Sequence, residues 1–134
     1  MFLLDTNILS ELVRRQPNDG VRRRFESAPN DKLFTSAVCI EEIRYGCRLV
    51  PNGEDKWRTV LAKVLIRLSI LDFDYATAVR AGELRATWKQ AGTPVGYEDG
   101  LIAAAALVAG LTVVTRNTRH FDHVTDLKLE NWFE

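Results

Sequence analysis

Four carboxylates, Asp5, Glu42, Asp99 and Asp122, each lie beside the predicted end of a strand or the start of a helix. That is the edge at which a parallel α/β sheet builds its active site. Asp5 is the most telling of them. Met1 to Leu4 is an apolar run, and Asp5-Thr6-Asn7 ends it with three polar residues, so a buried strand delivers a carboxylate to its C-terminal edge. Like charges that converge there repel one another unless a cation joins them. Hard oxygen donors in that number suit Mg²⁺ or Mn²⁺, ions that also hold phosphate oxygens. The chemistry on offer is metal-assisted attack on a phosphate ester.

Each acid also has a plainer use. Asp5 can cap the next helix, and Asp99, like its neighbour Glu98, stands in a first helical turn, where the macrodipole favours any acid. Glu42 is different. It falls about two turns into its helix, between Ile40 and Ile43, where an acid has no capping use and burial demands a partner. Other chemistries lack their residues: the chain contains no Gly-rich phosphate loop and no GxSxG elbow. His120 and His123 have no third soft ligand and are read as surface residues. Cys39 and Cys47 lie eight apart on one predicted helix, about 12 Å at the helical rise, too far for a disulfide.

The elements that must position these acids follow from pattern. Residues 2 to 5 predict a strand, and Asn7 to Arg15 a helix with Ile8, Leu9, Leu12 and Val13 at helical spacing. Asn18 or Asp19 caps a short helix through Phe25, which stops at Ala28-Pro29-Asn30. Leu33 to Thr35 is a strand, Ser36 an N-cap, and Gly46 marks the far end of the next helix. Glu54 to Arg67 is an amphipathic helix whose Trp57, Val60, Leu61, Val64 and Leu65 form a core face. Leu68 to Phe73 is a strand, Asp74 to Gln90 a helix, and residues 92 to 96 a breaker-rich loop. Glu98 to Ala109 is a helix closed by Gly110, Leu111 to Thr115 a buried strand, and Leu127 to Trp132 a last strand. Strands separated by helices imply an α/β fold: a mostly parallel sheet of about five strands with helices on both faces.

Composition sets the remaining bounds. The 134 residues suit one domain. With 46% hydrophobic and 27% charged residues, the composition is that of an ordinary globular protein. No apolar run approaches a bilayer-spanning length, and Asp5 interrupts the first apolar stretch before a signal peptide could form, so the expectation is a cytoplasmic protein without a membrane partner. The net charge is zero, yet the 18 basic residues include 13 Arg, with Arg14, Arg15, Arg22, Arg23 and Arg24 clustered early. Such a cluster suits phosphate, although a solvated helix face accounts for it as well.

Several segments together carry a family resemblance. Phe2-Leu3-Leu4-Asp5-Thr6-Asn7, Thr35-Ser36-Ala37-Val38 leading to Glu42-Ile43-Arg44-Tyr45-Gly46, Gly92-Thr93-Pro94 followed by Glu98-Asp99-Gly100-Leu101-Ile102-Ala103-Ala104, and Val114-Thr115-Arg116-Asn117 with Phe121 resemble the PIN-domain ribonucleases. Within them the chain is similar to the VapC toxins of type II (VapBC) toxin-antitoxin systems. The resemblance runs from residue 2 to Trp132 and implies a PIN-like three-layer fold, with residues 1–134 as a single nuclease domain. It implies an endoribonuclease that inhibits translation, using Mg²⁺ or Mn²⁺, with Asp5, Glu42 and Asp99 on the family's metal-binding acids. Asp5 and Asp99 would hold the ion, and Glu42 a second ion or a metal-bound water. Glu41 is excluded, because the matching acid immediately precedes Ile43.

Many members carry Asp where this chain has Asn117. That makes Asn117 a polar site-lining candidate, and Asp122, five residues later, a candidate fourth acid. Thr6, Asn7, Ser36 and Thr115 are candidates to hydrogen-bond the carboxylates and fix their rotamers. The implied partners are RNA, held through phosphate contacts by Arg side chains, a cognate VapB-like antitoxin, and a second copy of the chain in a homodimer or a larger assembly.

Two other classes compete. A phosphatase or receiver module would phosphorylate Asp5, but Asn7 stands where the former wants a second Asp, and Arg116-Asn117 where the latter wants a Lys. A non-catalytic RNA-binding or protein-interaction module would use the acids merely as caps, and Glu42 argues against it.

Overall fold

The computed structural model describes all residues from 1 to 134. Its centre is β1 (Phe2–Leu4), which pairs in parallel with β2 (Leu33–Ser36) on one side and β4 (Thr112–Val114) on the other. β3 (Ser69–Leu71) adds to β2 and β5 (Leu129–Glu130) to β4, giving a five-stranded, all-parallel sheet in the order β3-β2-β1-β4-β5. The central strands are mostly apolar because neither face meets water: Leu3, Leu4, Leu33, Val113 and Val114 are fully buried, and the polar Thr35 and Ser36 stand at the carboxyl end of β2.

Six helices make the crossovers. α1 (Thr6–Leu12) and α2 (Asp19–Ser27) link β1 to β2, α3 (Ala37–Arg48) and α4 (Gly53–Thr59) link β2 to β3, and α5 (Tyr75–Ala91) and α6 (Tyr97–Ala109) link β3 to β4. The first two crossovers step one way along the sheet and the third steps back across β1. Since such connections are right-handed, the step back carries α5 and α6 to the opposite face, giving three layers. The strand order reverses between β1 and β4, and the crevice at their carboxyl ends is where such sheets bind ligands.

Capping follows the sequence closely. Asp5, Asn18, Ser36 and Asp74 accept hydrogen bonds from the first-turn amides of α1, α2, α3 and α5. Gly92 and Gly110 close α5 and α6 in the left-handed conformation.

Four expectations need correction. α1 ends at Leu12 rather than Arg15, where the Arg14 amide turns back to the Glu11 carbonyl. Gly46 does not end α3, which runs on to Arg48 and stops before Pro51, whose ring bars the helical conformation at the preceding residue. The stretch after Gly53 is not one regular helix: α4 widens into a π-turn at Val60–Val64 and tightens into a 3₁₀ turn at Leu65–Arg67. The wider turn shifts the helical phase, so Val60 and Val64 stay buried while Leu61 faces solvent, against its expected core role. Finally, the strands expected at 68–73 and 127–132 are short edge strands, and Ser69 and Ile70 are exposed. No helix is long and apolar enough to cross a membrane.

Candidate active site

Asp5 is the first residue past β1, and its backbone amide extends the sheet by one hydrogen bond to the Val114 carbonyl. The side chain thus stands at the switch point, only 5% exposed. Its two oxygens are held from three directions. Oδ1 accepts the Thr6 amide at 2.8 Å, while Oδ2 accepts the Thr115 hydroxyl at 2.9 Å and the Asn7 amide group at 3.2 Å. Asn7 also donates to Thr115 Oγ1 at 3.2 Å, so the residues just past β1 and β4 form one network over the sheet edge.

Glu42 comes from the middle of α3, on the side of that helix facing α1. Its Oε1 accepts the Thr6 hydroxyl at 2.8 Å. Thr6 therefore braces both acids, Asp5 through its backbone and Glu42 through its side chain. The Cys39 thiol, one turn before Glu42, lies 4.0 Å from Asp5 Oδ1. Ligating atoms of Asp5, Cys39 and Glu42 all lie within 4.8 Å of one another. Asp99, in the first turn of α6, stands outside this tight group, and its Oδ2 is 3.2 Å from His120 Nδ1.

Electrostatics bind the three acids into one unit. Burial pushes the Asp5 carboxyl above its ordinary range, against the hydrogen bonds from Thr115, Thr6 and Asn7 that favour its charge. Burial likewise raises Glu42, and the neighbouring charges of Asp5, Asp99 and Glu98 raise it further. Asp99 is raised by burial and by the charge of Asp5, with His120 pulling the other way. No Lys or Arg makes an ion pair with any of the three. Burial and the Asp5 charge push the Cys39 thiol up to about 12, so it stays protonated and supplies a weak donor rather than a thiolate.

The other candidates divide. Thr6, Asn7 and Thr115 touch the carboxylates directly. Ser36 does not: it is buried and occupied in capping α3, its Oγ accepting the Val38 amide at 3.0 Å. Asn117 reaches the network through its backbone, its amide donating to Thr115 Oγ1 at 3.0 Å, while its side chain is exposed. Asp122 is exposed at the end of a 3₁₀ turn (Thr118–Phe121), and no hydrogen bond joins its carboxylate to the cluster. Three of the early arginines are in ion pairs, Arg14 with Glu11, Arg22 with Asp19 and Glu26, and Arg24 with Glu130, and Arg23 donates to the Asp19 carbonyl at 3.2 Å.

Reading the sequence missed His120 and Cys39. His120 reads as a surface residue because no third soft ligand accompanies the two histidines, and its side chain is indeed exposed. The available signal was the short polar run after β4, which can carry a side chain back over the same sheet edge.

Two polar clefts flank the acids. One, of about 450 Å³, is lined by Thr6, Glu41, Glu42, Tyr45 and Glu98 and is strongly acidic. The other, of about 340 Å³, is lined by residues 116–120 with Asn131 and Glu134 and carries Arg116, Arg119 and His120.

Comparison with known proteins adds an independent line. The PIN domain family matches residues 2–127. A tRNA(fMet)-specific endonuclease VapC of Shigella flexneri is 37% identical over 131 residues, covering 98% of this chain and 97% of the relative. Toxin FitB of Neisseria gonorrhoeae is 36% identical over 126 residues, covering 90% and 91%. Among solved structures, FitAcB from Neisseria gonorrhoeae superposes with a TM-score of 0.88 at 34% identity, covering 100% of this chain and 99% of that one. DNA-bound VapBC from Salmonella typhimurium superposes with a TM-score of 0.88 at 33% identity, covering 98% and 97%.

Proposed function

Because this chain belongs to the PIN-domain family, we propose that it is a metal-dependent endoribonuclease, the toxin of a toxin–antitoxin pair, with Asp5, Glu42 and Asp99 as its catalytic acids. One observation carries the assignment of residues. Carboxylates from three separate segments converge at the switch point, all with raised proton affinity and with no Lys or Arg paired to any of them, the His120 imidazole being the one basic side chain in contact. A structure keeps such charges together where a cation completes them.

The donor set fits a hard divalent ion. Oxygen atoms of Asp5 and Glu42 lie within one coordination sphere's reach, and the thiol beside them is protonated. Mg²⁺ or Mn²⁺ matches oxygen donors of this kind. When bound, the ion supplies a water of lowered pKa and a counter-charge for the phosphate.

The chain's own residues do the rest. Asp5 and Asp99 would hold the ion, and Glu42 would hold a second one or orient the attacking water. Thr115 and Asn7 lock the Asp5 carboxylate, Thr6 locks Glu42, and His120 orients Asp99, so that the acids keep their geometry while substrate enters. Buried Cys39 closes the floor of the site against bulk water. Asn117 lines the entrance without adding a fourth charge. The domain spans residues 1–134, and its site of action is the cytoplasm, where its RNA is found.

The relatives' names suggest where to look for substrate and partner. Two of them, at 37% and 33% identity, are named tRNA(fMet)-specific endonucleases, and the structural neighbours are VapBC and FitAB complexes. We therefore assign this chain an RNA substrate, with initiator tRNA as the first candidate, a VapB-like antitoxin, and homodimeric assembly.

The test is cleavage of a labelled RNA panel that includes initiator tRNA by purified, antitoxin-free protein, with Mg²⁺, with Mn²⁺ and with EDTA, using Asp5→Asn as the control for contaminating nuclease. Metal-dependent cleavage lost in the variant supports the nuclease. Absence of both cleavage and divalent-ion binding overturns it in favour of a non-catalytic interaction module.

A further inference from the structure

The geometry points to the cleft of residues 116–120 as the track that receives the phosphates next to the scissile one, with Arg116 and Arg119 as its phosphate-binding residues. This inference rests on the ribonuclease reading and names the path by which its substrate leaves the acids. The opposite cleft carries Glu41, Glu42 and Glu98 and repels a polyanion, whereas this one has no apolar lining and presents two guanidinium groups.

Those guanidinium groups are free. Six other arginines are in ion pairs, and Arg67 is bound to the carbonyls of Phe25 and Ala28 and to Asn30. Neither Arg116 nor Arg119 pairs with an acid, although Glu134 lies on the far wall of the cleft and accepts only the Asn131 amide, at 3.4 Å. Arg116 is preorganised, its guanidinium carbon 4.6 Å from the centre of the Phe133 ring. Stacking of this kind holds the planar fork in place while leaving its N–H donors open to phosphate.

The cleft is also joined to the acids at two points. The Arg116 amide donates to Asn7 Oδ1 at 3.0 Å, and Asn7 in turn donates to Asp5. On the other wall His120 contacts Asp99. A single strand with one phosphate at the acids can thus lay the adjoining phosphates along Arg116 and Arg119 without entering the cleft of Glu41, Glu42 and Glu98.

The deciding measurement is the binding of a fluorescent single-stranded RNA by anisotropy, with Ca²⁺ in place of Mn²⁺ to keep the RNA intact, across a salt series. For Arg116→Ala/Arg119→Ala, affinity is expected to fall at least about tenfold, and the slope of log affinity against log salt to flatten by about 1.4 for two lost phosphate contacts on a single strand. Arg116→Lys/Arg119→Lys should recover most of the affinity, and Mn²⁺ binding by calorimetry should match wild type in both. Arg119→Ala alone removes a side chain with no partner in the fold, and it should flatten the slope by about half as much. Unchanged affinity and slope, or a loss that follows weakened Mn²⁺ binding, would overturn the assignment, as would failure of wild type to bind RNA at all. Arg-dependent RNA binding without any cleavage by wild type in Mn²⁺ would instead sink the ribonuclease reading and leave the track standing.

Discussion

Thr115 Oγ1 donates to Asp5 Oδ2 at 2.9 Å across the crevice between β4 and β1. The same oxygen accepts the Asn7 amide group and the Asn117 backbone amide, at 3.2 and 3.0 Å. One buried hydroxyl therefore ties together the residues that follow the two central strands. Thr115→Val keeps the β-branched shape and removes this hub. Leaving two donors without their acceptor costs about 1–3 kcal/mol. Divalent-ion affinity should fall about 10–100-fold, as expected when an outer partner of a ligand is lost. Calorimetric titration with Mn²⁺ on the folded variant checks this, and wild-type affinity would contradict the role given to Thr115.

Asp5 also sets a pH dependence whose sign is definite. Its folded-state proton affinity is raised, chiefly by burial. The folded protein without metal thus binds more protons than the unfolded chain between the ordinary carboxylate pKa and the raised one, and stability falls as pH rises through that window. Glu42 and Asp99 act in the same direction. Asp5→Asn removes the buried charge and keeps a capping side chain, since Asn caps as well as Asp. Without metal, its Tm at neutral pH should exceed that of wild type, with a shallower decline as pH rises through that window. Divalent ions should raise the Tm of wild type and barely move that of the variant. Thermal scans at several pH values, with EDTA and with Mn²⁺, read both effects.

Much of this was legible in the sequence, and the exceptions have physical causes. The apolar run 2–4 ended by Asp5 and the breakers around the helix of Asp99 announce a parallel sheet with acids at one edge, because strand burial and helix capping are local rules. The order β3-β2-β1-β4-β5 is long-range and leaves no local trace, whereas Thr115, 110 residues from Asp5, is among the residues the sequence offers to hydrogen-bond the carboxylates. The contact of His120 with Asp99 joins two different elements, and only the short polar run after β4 hints at it. Leu61 was misplaced because a π-turn shifts the phase on which an amphipathic pattern depends.

Gly53 tests the packing that holds α3, and with it Glu42. The residue opens α4 against the end of α3, and a Cβ placed there would land on the Cys47 carbonyl oxygen. That obstacle is backbone and cannot rotate away. Gly53→Ala should therefore cost about 2–4 kcal/mol, a large effect for a single methyl group. Gly46→Ala, on the same α3, meets nothing within 4 Å and should be neutral or slightly stabilising through helix propensity. Denaturant titrations of the two variants provide the comparison, and equal midpoints would show that the α3–α4 junction relaxes freely.

Glu42→Gln separates a structural acid from a functional one. The Thr6 hydroxyl donates to Glu42 Oε1 at 2.8 Å, and a glutamine carbonyl accepts that bond equally well. The substitution removes one charge from a cluster in which Asp5, Asp99 and Glu98 all disfavour it, so the apo fold should hold or gain slightly in stability. If Glu42 orients the attacking water or holds a second ion, cleavage at saturating RNA should drop at least about 100-fold, within the range that a positioned general base or metal ligand supplies. Without divalent ions, RNA affinity should not weaken, because the lost charge repelled the strand. A variant that binds RNA, stays folded and does not cleave places Glu42 in the chemical step. One that cleaves normally reduces it to a partner for Thr6 and leaves Asp5 and Asp99 to hold the ion alone.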